Sequence, residues 1–282
     1  GSGGVNLLRA AVAARLDALD EIVGAACLAH DLGNPPFGHS GEKAISTFFS
    51  EGPGAVLKDE LTDEQWCDLT HFEGNANSLR LLTHQFKGRR PGGFAMTYSM
   101  LASIVKYPYE SRLAGRKSKF GFFTSERDTF KRIADELGLL PRPGEDGEMC
   151  YSRHPLVYIV EAADDICYQV MDIEDAHKLR VLTTGEVIDL FLAYFNQEQQ
   201  ERMKRAMSHV EDPNEKIAYL RSCVIGTLVK QCARAFVAHE EEILAGEFSG
   251  CLLDHVDTLE RDAYRGCSAL AWEKIYRTSD VV

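Results

Sequence analysis

Apolar residues recur at steps of three and four along almost the whole chain, and the strict alternation of a half-buried strand is scarce. A chain patterned this way buries its apolar stripes helix against helix, so the expected fold class is all-α. The spacing predicts one or two helices over 11–32, stopped by Gly33. Ala44, Ile45, Phe48 and Phe49 give the next helix an apolar stripe. Further helices are expected from Asn75 to His84, Met96 to Val105 and Thr124 to Leu137, the last with Ser125 as candidate cap. Pro155 suits the first turn of a long helix reaching Lys178. Others are expected near 186–196, 214–237 and 253–262. A short hairpin around Lys119 to Phe123 is the one place where strands are expected.

With 282 residues and 45% apolar content, the chain can bury a sizeable core in one large domain or two closely joined ones. Its net charge of −12 argues against a general nucleic-acid binder, so an anionic ligand needs a local basic patch or a metal. The eight cysteines contain no C-x-x-C pair, and Cys27, Cys167, Cys223 and Cys232 lie in apolar helical patterns. They read as reduced, buried thiols of a cytoplasmic protein. No apolar run reaches membrane-spanning length and no signal-peptide pattern is present. The opening Gly-Ser-Gly-Gly reads as an expression scar or trimmed loop.

The chemistry-bearing segment begins at His30-Asp31, which follows an apolar helical run and precedes Gly33-Asn34-Pro35-Pro36. Imidazole nitrogen beside carboxylate oxygen suits a divalent ion of the Mn, Fe, Co, Ni or Zn type. His39 and Glu42 follow, three residues apart, the spacing of neighbours on one helical face. Metal ligands with an acid/base pair inside thirteen residues suggest metal-assisted hydrolysis. Taken alone, the His-Asp pair carries little information, and Pro35-Pro36 could simply end a helix.

A second acidic segment lies in the Pro155 helix. Leu156, Ile159, Val160, Ala163, Val170 and Ile173 form its apolar stripe, while Glu161, Asp164, Tyr168, Asp172 and Asp175 recur at steps of three and four on another face. The column is either a solvated face or a ligand-facing surface. Lys106, Arg112, Arg116, Lys117 and Lys119 form the one strongly basic segment, which is either a solvated loop or a triphosphate clamp.

As a set, these strings resemble the HD-domain metal-dependent phosphohydrolases, and within them the bacterial deoxyguanosinetriphosphate triphosphohydrolases. The match extends through Phe72-Glu73-Gly74-Asn75-Ala76-Asn77, the Val-Lys-Tyr-Pro ending at Pro108, Lys119-Phe120-Gly121-Phe122-Phe123 and the Glu-Ala-Ala-Asp-Asp-Ile string beginning at Glu161. It covers roughly 22–180. The resemblance implies an HD-domain catalytic core over 5–182 and a helical C-terminal region over 183–282 packed on it. It implies a divalent metal, Mn²⁺, Mg²⁺ or a Fe/Co/Ni-type ion, held by His30, Asp31 and Asp164. His39 would act as acid/base, oriented by Glu42. Lys106 and Tyr107 would lie near the phosphates, Tyr168 against the nucleoside and Asp172 at the sugar. Asp165, about 100° around the helix, would brace neighbours.

The activity so implied is hydrolysis of a deoxynucleoside triphosphate, dGTP preferred, to deoxynucleoside and tripolyphosphate. A homo-oligomer, often a hexamer, and a nucleotide or single-stranded DNA effector are implied as well. The family's first metal ligand is a histidine upstream of His-Asp, and no histidine precedes His30 here. Either that segment lies outside this chain, as its abrupt start suggests, or the ligand has been lost. The rival readings are another HD nucleotide phosphohydrolase and a catalytically silent oligomeric sensor of nucleotide or single-stranded DNA. Asn34, where wider HD hydrolases have His, is common in the triphosphohydrolase branch.

Overall fold

The computed structural model describes residues 18–88, 91–117, 119–142, 144 and 147–277. The expected helical stretch over 11–17, the side chains of Arg116 and Lys117, and the end at Val281-Val282 lie outside the described residues. Helices account for nearly all regular structure, and no strand occurs among the described residues. The expected hairpin is replaced by isolated bridges, Tyr109 with Cys150 and Glu110 with Phe122, joining irregular segments. Phe120 and Phe122 are fully buried, so two-sided packing holds this segment where a hairpin ladder would need a polar face.

The chain divides into two compact units, through Val160 and from Glu161. The first holds α1 (18–29), α2 (Gly38–Ser50), α3 (Asp63–Thr70), α4 (Gly74–Thr83), α5 (Tyr98–Ile104), α6 (Ala114–Lys117), α7 (Arg127–Leu137) and the start of α8 (Val157–Lys178). Its main core gathers Ala26 from α1, Leu79 and Leu82 from α4, Leu101 from α5, and Phe130 and Ile133 from α7 around Phe122. Phe122 stacks on Phe130 with ring centroids 4.6 Å apart, a large apolar contact that ties the irregular segment to α7.

Local chemistry sets most helix ends. Thr62 caps α3 through a reciprocal box with Gln65, satisfying two backbone donors that the helix leaves open. Thr97 caps α5 by accepting from Met100 N–H. Gly138 ends α7 in the left-handed region, φ 67°. Ser125 does not cap that helix. It lies in a 3₁₀ turn, Thr124–Glu126, and its hydroxyl donates to Glu126 while accepting from Arg80. The expected α2 stripe is present but half-exposed, and Phe48 keeps 48% of its surface.

The second unit continues α8 and adds α9 (Thr184–Leu192), α10 (Gln197–Met207), α11 (Pro213–Ala238), α12 (Glu240–Leu244) and α13 (Thr258–Ala271). A π turn, Trp272–Tyr276, extends α13. Helix α11 packs on α9 and buries Ile217, Leu220, Val224 and Leu228. Gln169, buried in α8, donates to the Tyr264 carbonyl at 2.8 Å and to Ser268, which pins α8 to α13. All eight cysteines are thiols. Cys150, Cys232 and Cys267 are buried, whereas Cys167 is exposed, because its place on α8 lies off the buried stripe of Ala162, Ile166, Val170 and Ile173. No helix among the described residues is long and apolar enough to cross a membrane.

Candidate active site

The His30–Gly33 turn is held on α4 by one hydroxyl. Ser78 Oγ donates to the His30 carbonyl at 2.6 Å and accepts Gly33 N–H at 2.9 Å. Asn77 adds a bond from its amide nitrogen to the Gly33 carbonyl at 2.8 Å. A Cβ on Gly33 would lie 2.1 Å from Ser78 N and 2.2 Å from the Gly74 carbonyl. Gly33 therefore serves close backbone approach, and the helix expected to stop at it ends at position 29, ahead of the turn that Gly33 closes.

Within this turn His30 Nδ1 stands 2.8 Å from the Cys27 carbonyl. A carbonyl only accepts, so Nδ1 carries the proton and Nε2 the lone pair. Nε2 lies 3.5 Å from Asp31 Oδ1. One imidazole nitrogen and one carboxylate oxygen are thus brought together with the ring tautomer fixed, an arrangement that fits a divalent transition-type ion. Among the described residues, no three His, Cys, Asp or Glu side chains assemble into a complete cage.

His39 is the second residue of α2, whose cap residue Phe37 sits at φ 68° in the left-handed region and is 91% exposed. Its Nδ1 lies 2.7 Å from Glu42 Oε2, and the other Glu42 oxygen accepts Gly74 N–H at 2.7 Å. The glutamate thus spans from α2 to the first residue of α4. Its own side chain is 12% exposed while that of His39 is 84% exposed. Gly74 is required here, because a Cβ would meet Asn34 Oδ1 at 2.3 Å and Glu42 Oε1 at 3.0 Å. The Phe-Glu-Gly-Asn-Ala-Asn string thus supplies the floor under both the His30 turn and Glu42.

The basic segment is partly internal. Lys119 pairs with buried Glu73 at 3.3 Å and Arg112 with Glu64 at 3.6 Å. Lys106 follows the end of α5 and sits 6.0 Å from the centre of the Tyr107 ring, both half-buried. Helix α5 ends at Ile104, with Val105 as its cap residue.

In the second unit, Asp164, Tyr168 and Asp172 follow one another at successive four-residue steps of α8. Tyr168 is 60% exposed. Glu161, at the start of the same column, is buried. Asp172 accepts a hydrogen bond from the Tyr276 hydroxyl, and the Tyr276 ring lies parallel to Tyr168, centroids 6.5 Å apart. Burial pushes the Asp172 carboxyl up, against the effect of that bond. Asp165 receives the Tyr264 hydroxyl on its backbone carbonyl.

Sequence reasoning missed Ser78, Gly74 as a cradle, and Tyr276. Gly74 lies inside the Phe72–Asn77 string and Ser78 directly follows it, but the residue types show neither mechanical role. Tyr276 is 104 residues from Asp172, with no local signal to join them.

No family model matches the chain. It is 40% identical, over 92% of its length, to a deoxyguanosinetriphosphate triphosphohydrolase-like protein of Pseudomonas aeruginosa and spans 58% of that protein. It is 38% identical, over 83% of its length, to a like-named protein of Synechocystis sp., of which it spans 54%. A deoxyguanosinetriphosphate triphosphohydrolase of Yersinia enterocolitica is 28% identical over 85% of the chain, which spans 53% of that relative. The chain thus spans little more than half the length of these curated relatives.

Proposed function

The chain belongs to the deoxyguanosinetriphosphate triphosphohydrolase family known from bacteria, and from that premise we propose that the whole protein hydrolyses deoxynucleoside triphosphates, dGTP before others, to deoxynucleoside and tripolyphosphate. The observation that carries this reading is the two-sided use of Glu42: one oxygen orients His39 and the other is anchored on Gly74 N–H. A carboxylate only accepts, so it holds the proton on His39 Nδ1 and leaves Nε2 as the basic atom, turned to solvent on an 84% exposed side chain. In this state His39 takes a proton at Nε2 from an attacking water and returns it to the leaving group. Glu42 positions the ring.

His30 and Asp31 would hold the divalent metal, which supplies positive charge against the phosphate oxygens and acidifies water. Asp164 joins them on the sequence resemblance, and the ion is of the Mn²⁺, Mg²⁺ or Fe/Co/Ni type. On the same footing Lys106 and Tyr107 attend the phosphates, while Tyr168 and Asp172 attend the sugar. The exposure of Tyr168 supports that role. A ring against the deoxyribose leaves a 2′-hydroxyl without room or hydrogen bonds, and Asp172 can accept from the 3′-hydroxyl. A cytoplasmic homo-oligomer, a hexamer, responsive to nucleotide or single-stranded DNA, completes the proposal.

Product analysis of dGTP turnover tests it. Tripolyphosphate and deoxyguanosine in equal amounts are expected, whereas release of orthophosphate or pyrophosphate overturns the reaction assignment. Tyr168→Ala and Asp172→Ala are expected to lower the ratio of kcat/KM for dGTP over GTP. An unchanged ratio and rate in both removes the sugar-reading role.

A further inference from the structure

Beside α4 the first unit contains a cavity of about 430 Å³. Its size is that of a pocket for a small organic molecule. Phe72 and Phe123 form an aromatic wall, their ring centroids 5.9 Å apart, and Leu61 and Leu69 add apolar surface. Among its polar lining residues, Arg80, Gln65 and Asn77 have part of their hydrogen-bonding capacity already committed. Arg80 uses Nη1 on Ser125 at 2.7 Å and on Glu126 at 3.2 Å, which fixes the guanidinium and leaves Nη2 and Nε as donors. Gln65 spends its amide oxygen on Thr62 N–H, so its NH₂ group remains a donor. Asn77 spends its NH₂ group on the Gly33 carbonyl, so its amide oxygen remains an acceptor.

The charge balance argues against an anion. Arg80 is already paired with Glu126, and the buried Asp68 carboxylate also lines the cavity, accepting from Ser111 at 2.6 Å and from Thr124 N–H at 2.8 Å. One cation stands against two carboxylates. A flat ring carrying a carbonyl beside an N–H satisfies the wall: the carbonyl accepts from Arg80 and Gln65, the N–H donates to Asn77, and the face packs on the phenylalanines.

We propose that this cavity binds a neutral planar heterocycle with a lactam edge, a guanine- or thymine-type base or its nucleoside. We further propose that occupancy is felt at the His30–Gly33 turn through Asn77, which both lines the cavity and holds the Gly33 carbonyl. The inference does not depend on the hydrolase reading, since it uses neither His39 nor α8.

Calorimetric titration of the full chain with thymidine and with deoxyguanosine tests the site, with benzoate and tripolyphosphate as anionic comparisons. One nucleoside per chain is expected to bind. Leu61→Trp, which fills the cavity, is expected to weaken binding at least tenfold, as is Arg80→Met, while Tyr168→Ala leaves it unchanged. Circular dichroism checks each variant, and Leu61→Trp decides the matter if loss of the Arg80–Glu126 pair unfolds the other. The proposal is overturned by no nucleoside binding, by binding that Leu61→Trp leaves intact, or by an anion whose binding Leu61→Trp abolishes. Nucleoside binding lost in Tyr168→Ala and kept in Leu61→Trp would assign the ligand to the proposed sugar site instead. The amide signal of Gly33 is expected to move on thymidine addition, and a fixed signal removes the coupling to the turn.

Discussion

His39 and Glu42 divide one task, and the two substitutions should separate their parts. His39→Ala removes the atom that moves the proton, so kcat for dGTP should fall by about 10²–10⁴-fold with metal content unchanged. Glu42→Ala leaves the imidazole but frees its tautomer and removes the bond to Gly74 N–H. A smaller loss is expected, accompanied by a shifted pH–rate profile. Near-normal kcat for His39→Ala would leave that residue a loop side chain. Away from this pair, burial pushes the His154 imidazole from its ordinary 6.5 down to about 4, and its Nδ1 accepts Leu156 N–H at 3.3 Å. The folded-state value is depressed, so the unfolded chain takes the proton first as pH falls. The neutral ring's stabilisation is complete above about pH 6.5 and is lost progressively toward about pH 4, by up to roughly 3 kcal/mol. His154→Asn keeps an acceptor without a titrating ring. Urea unfolding at pH 7 and pH 5 should show a smaller drop in stability for the variant than for the parent. Equal drops would mean that His154 does not carry the acid sensitivity.

Helix α4 is the element on which the first unit's site is built. Its first residue holds Glu42, its fifth holds the His30 turn from both sides, and Asn77 and Arg80 line the neighbouring cavity. Ser78→Ala should therefore cost about 2–4 kcal/mol, because it leaves the buried Gly33 N–H and the His30 carbonyl without their partner. Chemical denaturation measures that cost, and a loss well under 1 kcal/mol would mean the turn finds other partners. Helices with a broad apolar stripe, such as α7 and α11, were legible in the sequence near their true bounds. Helix α10 was not, because in Gln-Glu-Gln-Gln-Glu-Arg-Met-Lys-Arg-Ala-Met only Met203 and Met207 turn inward. Two methionines four apart make too thin a stripe to read. The Lys119–Phe123 segment misled in the other direction. Its aromatic spacing suggests strands, but Phe120, Phe122 and Phe123 are all buried.

At the scale of the whole molecule, net charge governs what the protein attracts. With −12 at pH 7, the surface repels duplex phosphate. A random duplex should produce no mobility shift at about 0.15 M salt, where the screening length is about 8 Å. A shift of such DNA under those conditions would require a basic face that the composition argues against. The division into units, through Val160 and from Glu161, falls inside α8. One continuous helix therefore carries the transition, a feature that no Gly-rich or Pro-rich linker announced.

By itself the sequence determined the helical class, the family, and the residue types capable of the chemistry. Those are properties of periodicity and of short strings, in which neighbours along the chain are neighbours on one helix face. Tertiary structure alone decided which atoms of those residues are usable. The Cys27 carbonyl selects the His30 tautomer, Glu42 finds its second partner 32 residues away at Gly74, and Ser78 reaches back 48 residues to His30. The last two are contacts between segments distant in sequence, fixed by close backbone approach at Gly33 and Gly74, and no local pattern encodes the partner.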